Sequence, residues 1–258
     1  MRFKGLTIFV LVIVLSLLLG SACSRQPNKT TVGSISQSAP VDINVDSEVK
    51  VKLPVVEPTA PNIVPIKEQH KITILPVPFT SQAPFANWDL PYQEACEEAS
   101  MIMAAEYFKG NKKLQLDPTY ADQEILKLVE WETSNGFTQD ITAQEVATVL
   151  KNYYALEASV VQYNPRVIKE AILEHKLVLL PAAGRLLGNP YFRRPGPVYH
   201  MLVVKGFEDN EFITNDPGTR RGENFRYNEL ILARAVHDWN NGKVEEGQQV
   251  IIIVNKVK

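Results

Sequence analysis

Residues 87–110, NWDLPYQEACEEASMIMAAEYFKG, set a lone cysteine, Cys96, at the opening of an apolar helix. The helix follows from Ala99, Met103, Ala104 and Tyr107, which share one face at spacings of four, one and three. Glu97 and Glu98 fall in its first turn, where carboxylates suit the positive end of the helix dipole. Gly110 ends it, with Lys109 in the last turn. A thiol at a helix N-terminus has its thiolate stabilised by the dipole and by free backbone N–H groups. Two adjacent carboxylates oppose that effect, so a reactive Cys96 needs a cationic neighbour as well. A buried structural cysteine is the competing expectation, because free cysteine is often only a small core residue.

Outside this stretch, composition sets the limits. The chain has 258 residues, a formal net charge of −2, 45% hydrophobic and 22% charged residues. That describes a globular protein with a sizeable core and excludes the broad basic footprint of a nucleic-acid binder. No internal repeat and no heptad run is present.

Residues 1–23 form a separate unit: Arg2 and Lys4, then an apolar run from Leu6 to Leu19 broken only by Thr7 and Ser16, then Gly20-Ser21-Ala22-Cys23. This is an export signal. Small residues directly before a cysteine resemble a bacterial lipobox, with Cys23 as the lipidated residue. An uncleaved membrane anchor and simple secretion are the alternatives. The expected location is extracytoplasmic, on the cell membrane. Only two cysteines exist, Cys23 and Cys96. A bridge between them would tie a tail to a helix start, whereas a lipidated Cys23 leaves Cys96 as an unpaired thiol in an exported protein. Residues 24–70 are rich in Ser, Thr, Pro and Val, lack helical periodicity, and read as a disordered tether. The folded domain is expected over residues 71–258.

Within that domain a short edge strand is expected near Ile72–Phe79, punctuated by proline. Helices are expected at Pro118–Glu132, at Thr142–Asn152 behind a Thr142/Glu145 capping box, and after Asn164-Pro165. Strands are expected at Leu177–Ala182, Tyr199–Phe207, Glu211–Thr214 and Gln249–Val257, with a short helix at Tyr227–Val236. Helices first and antiparallel strands second argue an α+β class.

A cysteine nucleophile needs a base, usually histidine. Of the four histidines, His70 lies at the end of the tether, His175 in a helix tail and His237 in a polar loop, each a place where histidine needs no special role. His200 opens the run Met201-Leu202-Val203-Val204, where a polar ring must be hydrogen-bonded or functional. A hairpin around Asp209 brings its far ends together, which places Asp216 within reach of His200 as the group that orients the imidazole; Asn215 is the nearest substitute. An oxyanion donor beside the Cys96 N–H can come from Gln82 or from Gln93. No HExxH or clustered Cys/His spacing is present, so neither metal nor other cofactor is expected.

VPFTSQ, then CEEAS, then YHMLVVKGFEDNEFITNDPGT resemble the papain-like cysteine peptidases of the bacteriocin-leader-processing type, the C39-like peptidases. The resemblance covers roughly residues 75–254. It implies a papain-like fold, with the cysteine at a helix start in a helical N-terminal half and the His and Asp on a C-terminal antiparallel sheet. It also implies Cys96 as nucleophile, His200 as base, Asp216 as orienter and Gln82 as oxyanion donor. Two departures stand out: Glu97 follows the nucleophile where the processing members carry glycine, and Gln82 precedes Cys96 by 14 positions, farther than in that family. No nucleotide-binding loop or transporter region accompanies the domain. The expected activity is hydrolysis of a peptide or amide bond, with a peptide or peptidoglycan-type substrate, no nucleic acid, a membrane contact through the N-terminus, and a monomeric state. The alternatives are a cell-wall amidase or endopeptidase, and an inactive surface-anchored binding module of the same fold.

Overall fold

The computed structural model describes residues 72–257. The expected export signal, the lipidation site Cys23, the tether and His70 lie outside the described residues. Strand β1 is Thr73–Ile74. Helix α1 is Cys96–Phe108, α2 is Pro118–Ser134, and α3 is Ala143–Tyr154. Strand β2, Leu156–Gln162, precedes α4, Pro165–Leu173. Then come β3 (Leu177–Ala183), β4 (Tyr199–Glu208), β5 (Glu211–Asn215) and β6 (Phe225–Asn228). Helix α5, Glu229–Ala235, and β7, Val250–Lys256, complete the domain.

The architecture is α+β, of papain-like type, with α1 laid against an antiparallel sheet in the order β2-β7-β3-β4-β5-β6. The short β1 pairs with the far end of β4, Thr73 opposite Phe207 and Ile74 opposite Gly206. A Cβ on Gly206 would lie 2.5 Å from the Thr73 carbonyl oxygen, so the close approach of β1 requires glycine there.

Helix α1 lies at the centre. Eleven of its thirteen residues are buried, so it has no solvent face. Ser100 Oγ donates to the Met201 carbonyl at 3.3 Å and docks the helix on β4. Glu97 and Glu98, which the sequence places as dipole-facing carboxylates on a helix end, are 0% and 4% exposed. Helix packing buries them because α2 and the 138–141 turn close over the first turn of α1. The caps behave as their chemistry dictates. Asp117 accepts from Tyr120 N ahead of Pro118, the Thr142/Glu145 box is complete, and Asn164 accepts from Arg166 N.

Three elements differ from the sequence expectation. Of the edge strand expected near Ile72–Phe79 only Thr73–Ile74 pairs as strand, and Phe79 makes an isolated bridge to Gln115. The helix expected at Tyr227–Val236 begins only at Glu229, because Phe225–Asn228 pairs with β5 and Asn228 supplies the N-cap. Strand β2 was not expected at all. Its alternation in LEASVVQ is muted, since its edge is fixed by full-length pairing to β7, an element almost a hundred residues away.

Candidate active site

Four segments converge at one end of β4. The first is the opening of α1 with Cys96. The second is His200 at the start of β4, 1% exposed. The third is the turn after β5, where Asp216 is fully buried. The fourth is the 80–83 loop, tied to the Asp216 turn by Gln82 N and Ser81 Oγ, which both donate to the Pro217 carbonyl. Cys96, His200, Gln82 and Gln93 line one cavity of about 420 Å³ with Trp88, Phe192 and Gly218. His175 and His237 are elsewhere: His175 sits exposed in the turn after α4, and His237 turns Nδ1 toward the Ala235 carbonyl.

The hairpin expected around Asp209 is present, with Val203 opposite Asn215 and a register shift between Val204 and Gly206. It leaves His200 Nε2 2.7 Å from Asp216 Oδ1. The imidazole is packed on its ring edge by Phe192, centroids 5.1 Å apart and nearly perpendicular. On another side it is backed by Gly218, where a Cβ would lie 2.8 Å from His200 Cε1. Only glycine fits there, so the NDPG turn can touch the ring directly. With Nε2 committed to Asp216, Nδ1 is the nitrogen left to serve the cleft.

Asp216 is over-determined. Oδ1 also accepts from Gly218 N at 3.0 Å, and Oδ2 accepts from Tyr227 Oη at 2.6 Å and Asn189 Nδ2 at 2.9 Å. Asn189 Nδ2 further bonds Tyr227 Oη at 2.9 Å. Burial alone pushes this carboxyl up. The His200 charge and hydrogen bond, with the bonds from Tyr227 and Gly218, outweigh burial and hold it below the usual carboxylate range. Asn215, the sequence-level substitute for Asp216, points elsewhere: its amide donates to the Val77 and Pro78 carbonyls and fastens the 77–78 segment to β5. Asn189 and Tyr227 were not singled out in the sequence. No local signal marks them, since they are 27 and 11 residues from Asp216 and meet it only through the 184–197 loop and β6.

The helix dipole favours the thiolate, but here burial and the opposing carboxylates prevail. Cys96 is a free thiol whose Sγ donates to Glu97 Oε2 at 2.8 Å. Burial, then the charge and hydrogen bond of Glu97, then Glu98, push the thiol well up; a bond from the Met201 backbone only partly opposes them. Glu97 Oε1 accepts from Ile141 N at 3.3 Å, so the carboxyl bridges the Cys96 thiol to the 138–141 turn. Burial and Glu98 raise Glu97 well above its ordinary value in turn. Behind it, Glu98 and Glu132 form a buried pair, both raised chiefly by burial, with Glu132 pushed up to about 7.

As the first amide of α1, the Cys96 N–H has no partner within the helix. Gln82 lines the same cavity, and its Nε2 donates to the Tyr92 and Gln93 carbonyls, both at 2.9 Å, while its buried Oε1 has no partner. It thereby holds the short 3-10 turn Tyr92–Glu94 that leads into Cys96. Gln93 instead donates to Glu94 at 2.7 Å. Among the described residues no three His, Cys, Asp or Glu side chains come together as a metal site.

A thiol at the start of a central helix shares a cavity with a histidine that an aspartate holds on an antiparallel sheet, and this arrangement is of papain-like type. The chain belongs to the Peptidase_C39 like family, whose model matches residues 74–243, about two-thirds of its length. No curated protein matches the chain. Among solved structures it is similar to a chain described as a C39-like peptidase from Bacillus anthracis, at 14% identity over 73% of this chain and 99% of that one, with a TM-score of 0.48. It is also similar to a double glycine motif protease from an AMS/PCAT transporter in complex with the leader peptide, at 17% identity over 72% of this chain and 95% of that one, with a TM-score of 0.42.

Proposed function

We propose that the chain is a cysteine peptidase that cleaves a peptide or amide bond with Cys96, His200 and Asp216. One observation carries this: Cys96 and His200 line a common cavity, and His200 has its other face locked by Asp216 at 2.7 Å. In this scheme His200 Nδ1 accepts the Cys96 proton, drawing the thiol away from Glu97. The thiolate attacks the carbonyl carbon, and the carbonyl oxygen becomes an oxyanion facing the Cys96 N–H. Gln82 serves as the second donor once its amide gives up one of its two carbonyl bonds. The imidazolium then protonates the leaving amine as the C–N bond breaks, leaving a thioester. A water that loses its proton to His200 attacks the thioester and releases the acid, restoring the thiol. Asp216 stays ionised throughout and fixes the ring.

The N-terminal signal supports an extracytoplasmic enzyme held to the membrane by a lipid on Cys23, with residues 24–70 as the spacer. A binding module of the same fold is the second reading, and it draws on the thiol's hydrogen bond to Glu97 and its raised pKa. Iodoacetamide labelling and hydrolysis of unfolded casein, each compared between the full chain and Cys96→Ala, separate the two. The peptidase reading expects casein cleavage that vanishes with Cys96. A thiol that labels no faster than free cysteine, with no cleavage, sinks it.

A further inference from the structure

The loop that leads into the histidine's strand and the turn that holds the aspartate carry most of the arginine in the described residues. Of the eight arginines between residues 72 and 257, five lie on them: Arg185, Arg193 and Arg194 before β4, and Arg220 and Arg221 after β5. The 184–197 loop, GRLLGNPYFRRPGP, contains no acidic residue. The 216–224 turn contains two, and neither answers the arginines. Asp216 is buried on His200, and Glu223 accepts from Gln115 at 2.8 Å. Among the described residues none of the five guanidinium groups has a carboxylate partner; Arg226, farther along, takes both Glu208 and Glu211. All five are exposed. In a chain of net charge −2, this is a concentrated positive field at one site rather than a general excess.

The field is part of the cleft. Arg193 and Arg194 line the cavity that holds Cys96 and His200. A neighbouring cavity of about 740 Å³, lined by Arg185, shares Phe192, Arg194, Pro195 and Gly196 with it. On the other side a cavity of about 510 Å³ is formed by Tyr191, Thr219, Arg220 and Arg221, and shares Tyr191. Arg221 is laid over the Tyr191 ring, 4.9 Å from its centroid, so its planar fork is held by stacking and not by an internal acid. Past the Tyr92–Glu94 turn, Glu94, Glu98 and Glu132 line a separate pocket, where burial drives Glu98 and Glu132 toward their neutral forms. The cations near the thiol are therefore those of the two loops.

We infer that the 184–197 and 216–222 loops form an extended subsite for a peptide segment rich in Asp or Glu, which docks beside the scissile bond. This deepens the peptidase reading and rests on it for the word substrate. A polypeptide is favoured over a phosphate-bearing wall polymer because the cleft holding the arginines is the one that holds the thiol. Guanidinium forks meet carboxylates in bidentate pairs, and a row of them along connected cavities reads several successive side chains.

The test uses the full chain carrying Cys96→Ser, so that binding is measured without chemistry. The probes are fluorescein-labelled peptides with six glutamates, or six glutamines, in a Gly/Ser frame, read by fluorescence polarisation. The glutamate peptide should bind about tenfold or more tightly than the glutamine peptide at low salt, and the advantage should shrink as salt is raised. Arg193→Ala with Arg194→Ala should bring the ratio close to one, Arg220→Ala with Arg221→Ala should lower it, and the lysine versions should keep part of it. In the unmodified protein the glutamate peptide should slow iodoacetamide labelling of Cys96, and the glutamine peptide should not. Equal binding of the two peptides, or an advantage indifferent to both arginine pairs, overturns the inference. Poly(glycerol phosphate) displacing the probe at lower concentration than the unlabelled glutamate peptide overturns it in favour of a wall polymer. Casein hydrolysis by the unmodified chain against Cys96→Ala is read in parallel. Its absence with the binding preference intact refutes the peptidase reading and leaves the acidic-peptide subsite standing.

Discussion

Tyr227→Phe tests the network that holds the imidazole. The substitution keeps the ring, which is 2% exposed, and deletes one hydroxyl. Two hydrogen bonds go with it: the 2.6 Å bond to Asp216 Oδ2 and the 2.9 Å bond from Asn189 Nδ2. Asn189 keeps its bond to Asp216, so no buried donor is orphaned. A bond to a charged acceptor contributes about 1.5–3 kcal/mol and a neutral one about 1, so the loss should be about 2–4 kcal/mol. At about 2–4 °C per kcal/mol for a domain of this size, the melting temperature should fall by roughly 4–16 °C. The loss should depend on pH in a definite sense. Asp216 folds with its carboxyl below the ordinary range, so its contribution is present above the unfolded pKa and is lost as pH falls through the folded one. Removing Tyr227 lets the folded value rise, so the gap between variant and wild type should be widest at neutral pH and close below about pH 4. The comparator is Tyr154→Phe. Its hydroxyl is buried with no partner, so deleting it should leave the melting temperature unchanged or higher. Calorimetry of both variants across pH decides the matter. A Tyr227→Phe protein that melts with wild type at neutral pH, or a pH trend of the opposite sign, refutes the account of how Asp216 is held.

Cys96→Ala should abolish casein hydrolysis with an unchanged circular dichroism spectrum, and His200→Ala should match it, with Asp216→Asn milder; activity in folded Cys96→Ala removes the nucleophile assignment. Glu132 carries its carboxyl from 4.5 up to about 7 on folding, so the stability of its protonated form is lost as pH rises between those values. Glu132→Gln should accordingly be more stable than wild type at pH 8, by up to about 3 kcal/mol, with the gain fading toward pH 4; a gain independent of pH contradicts the buried pair. Glu97→Gln removes the second-largest cause of the raised thiol, so Cys96 should alkylate faster at neutral pH, and a slower rate would show that Glu97 assists rather than restrains it. Cys23→Ser should move the protein from the membrane to the soluble fraction of cells, and unchanged membrane retention would favour a spanning anchor.

What the sequence determined by itself is local in its physics. Helix α1 begins at Cys96 and its chain turns at Gly110, with φ of +83°, because small residues, a carboxylate first turn and a terminal glycine act within a few positions. The Thr142/Glu145 box and the Asn164 cap are likewise contained in four residues. The antiparallel hairpin from His200 to Asp216 was legible for the same reason, since two apolar strands flank a turn that only residues tolerant of positive φ, such as Asp209, can make. Tertiary structure decided everything whose cause lies across the fold. Strand β2 exists because β7 is there to pair with it, and Tyr227 is extended and not helical because β5 claims its backbone. The choice of Asp216 over Asn215 to meet His200 turns on strand alternation, which sends the Asn215 amide to Val77 and Pro78. The state of the thiol was legible only in part: the sequence set two carboxylates against the thiolate, but the burial that is the largest cause came with the fold. Glu97 and Glu98 look like solvated helix-end charges until α2 and the 138–141 turn close over them, and it is that removal of water which turns them from partners of the dipole into the groups that hold Cys96 protonated.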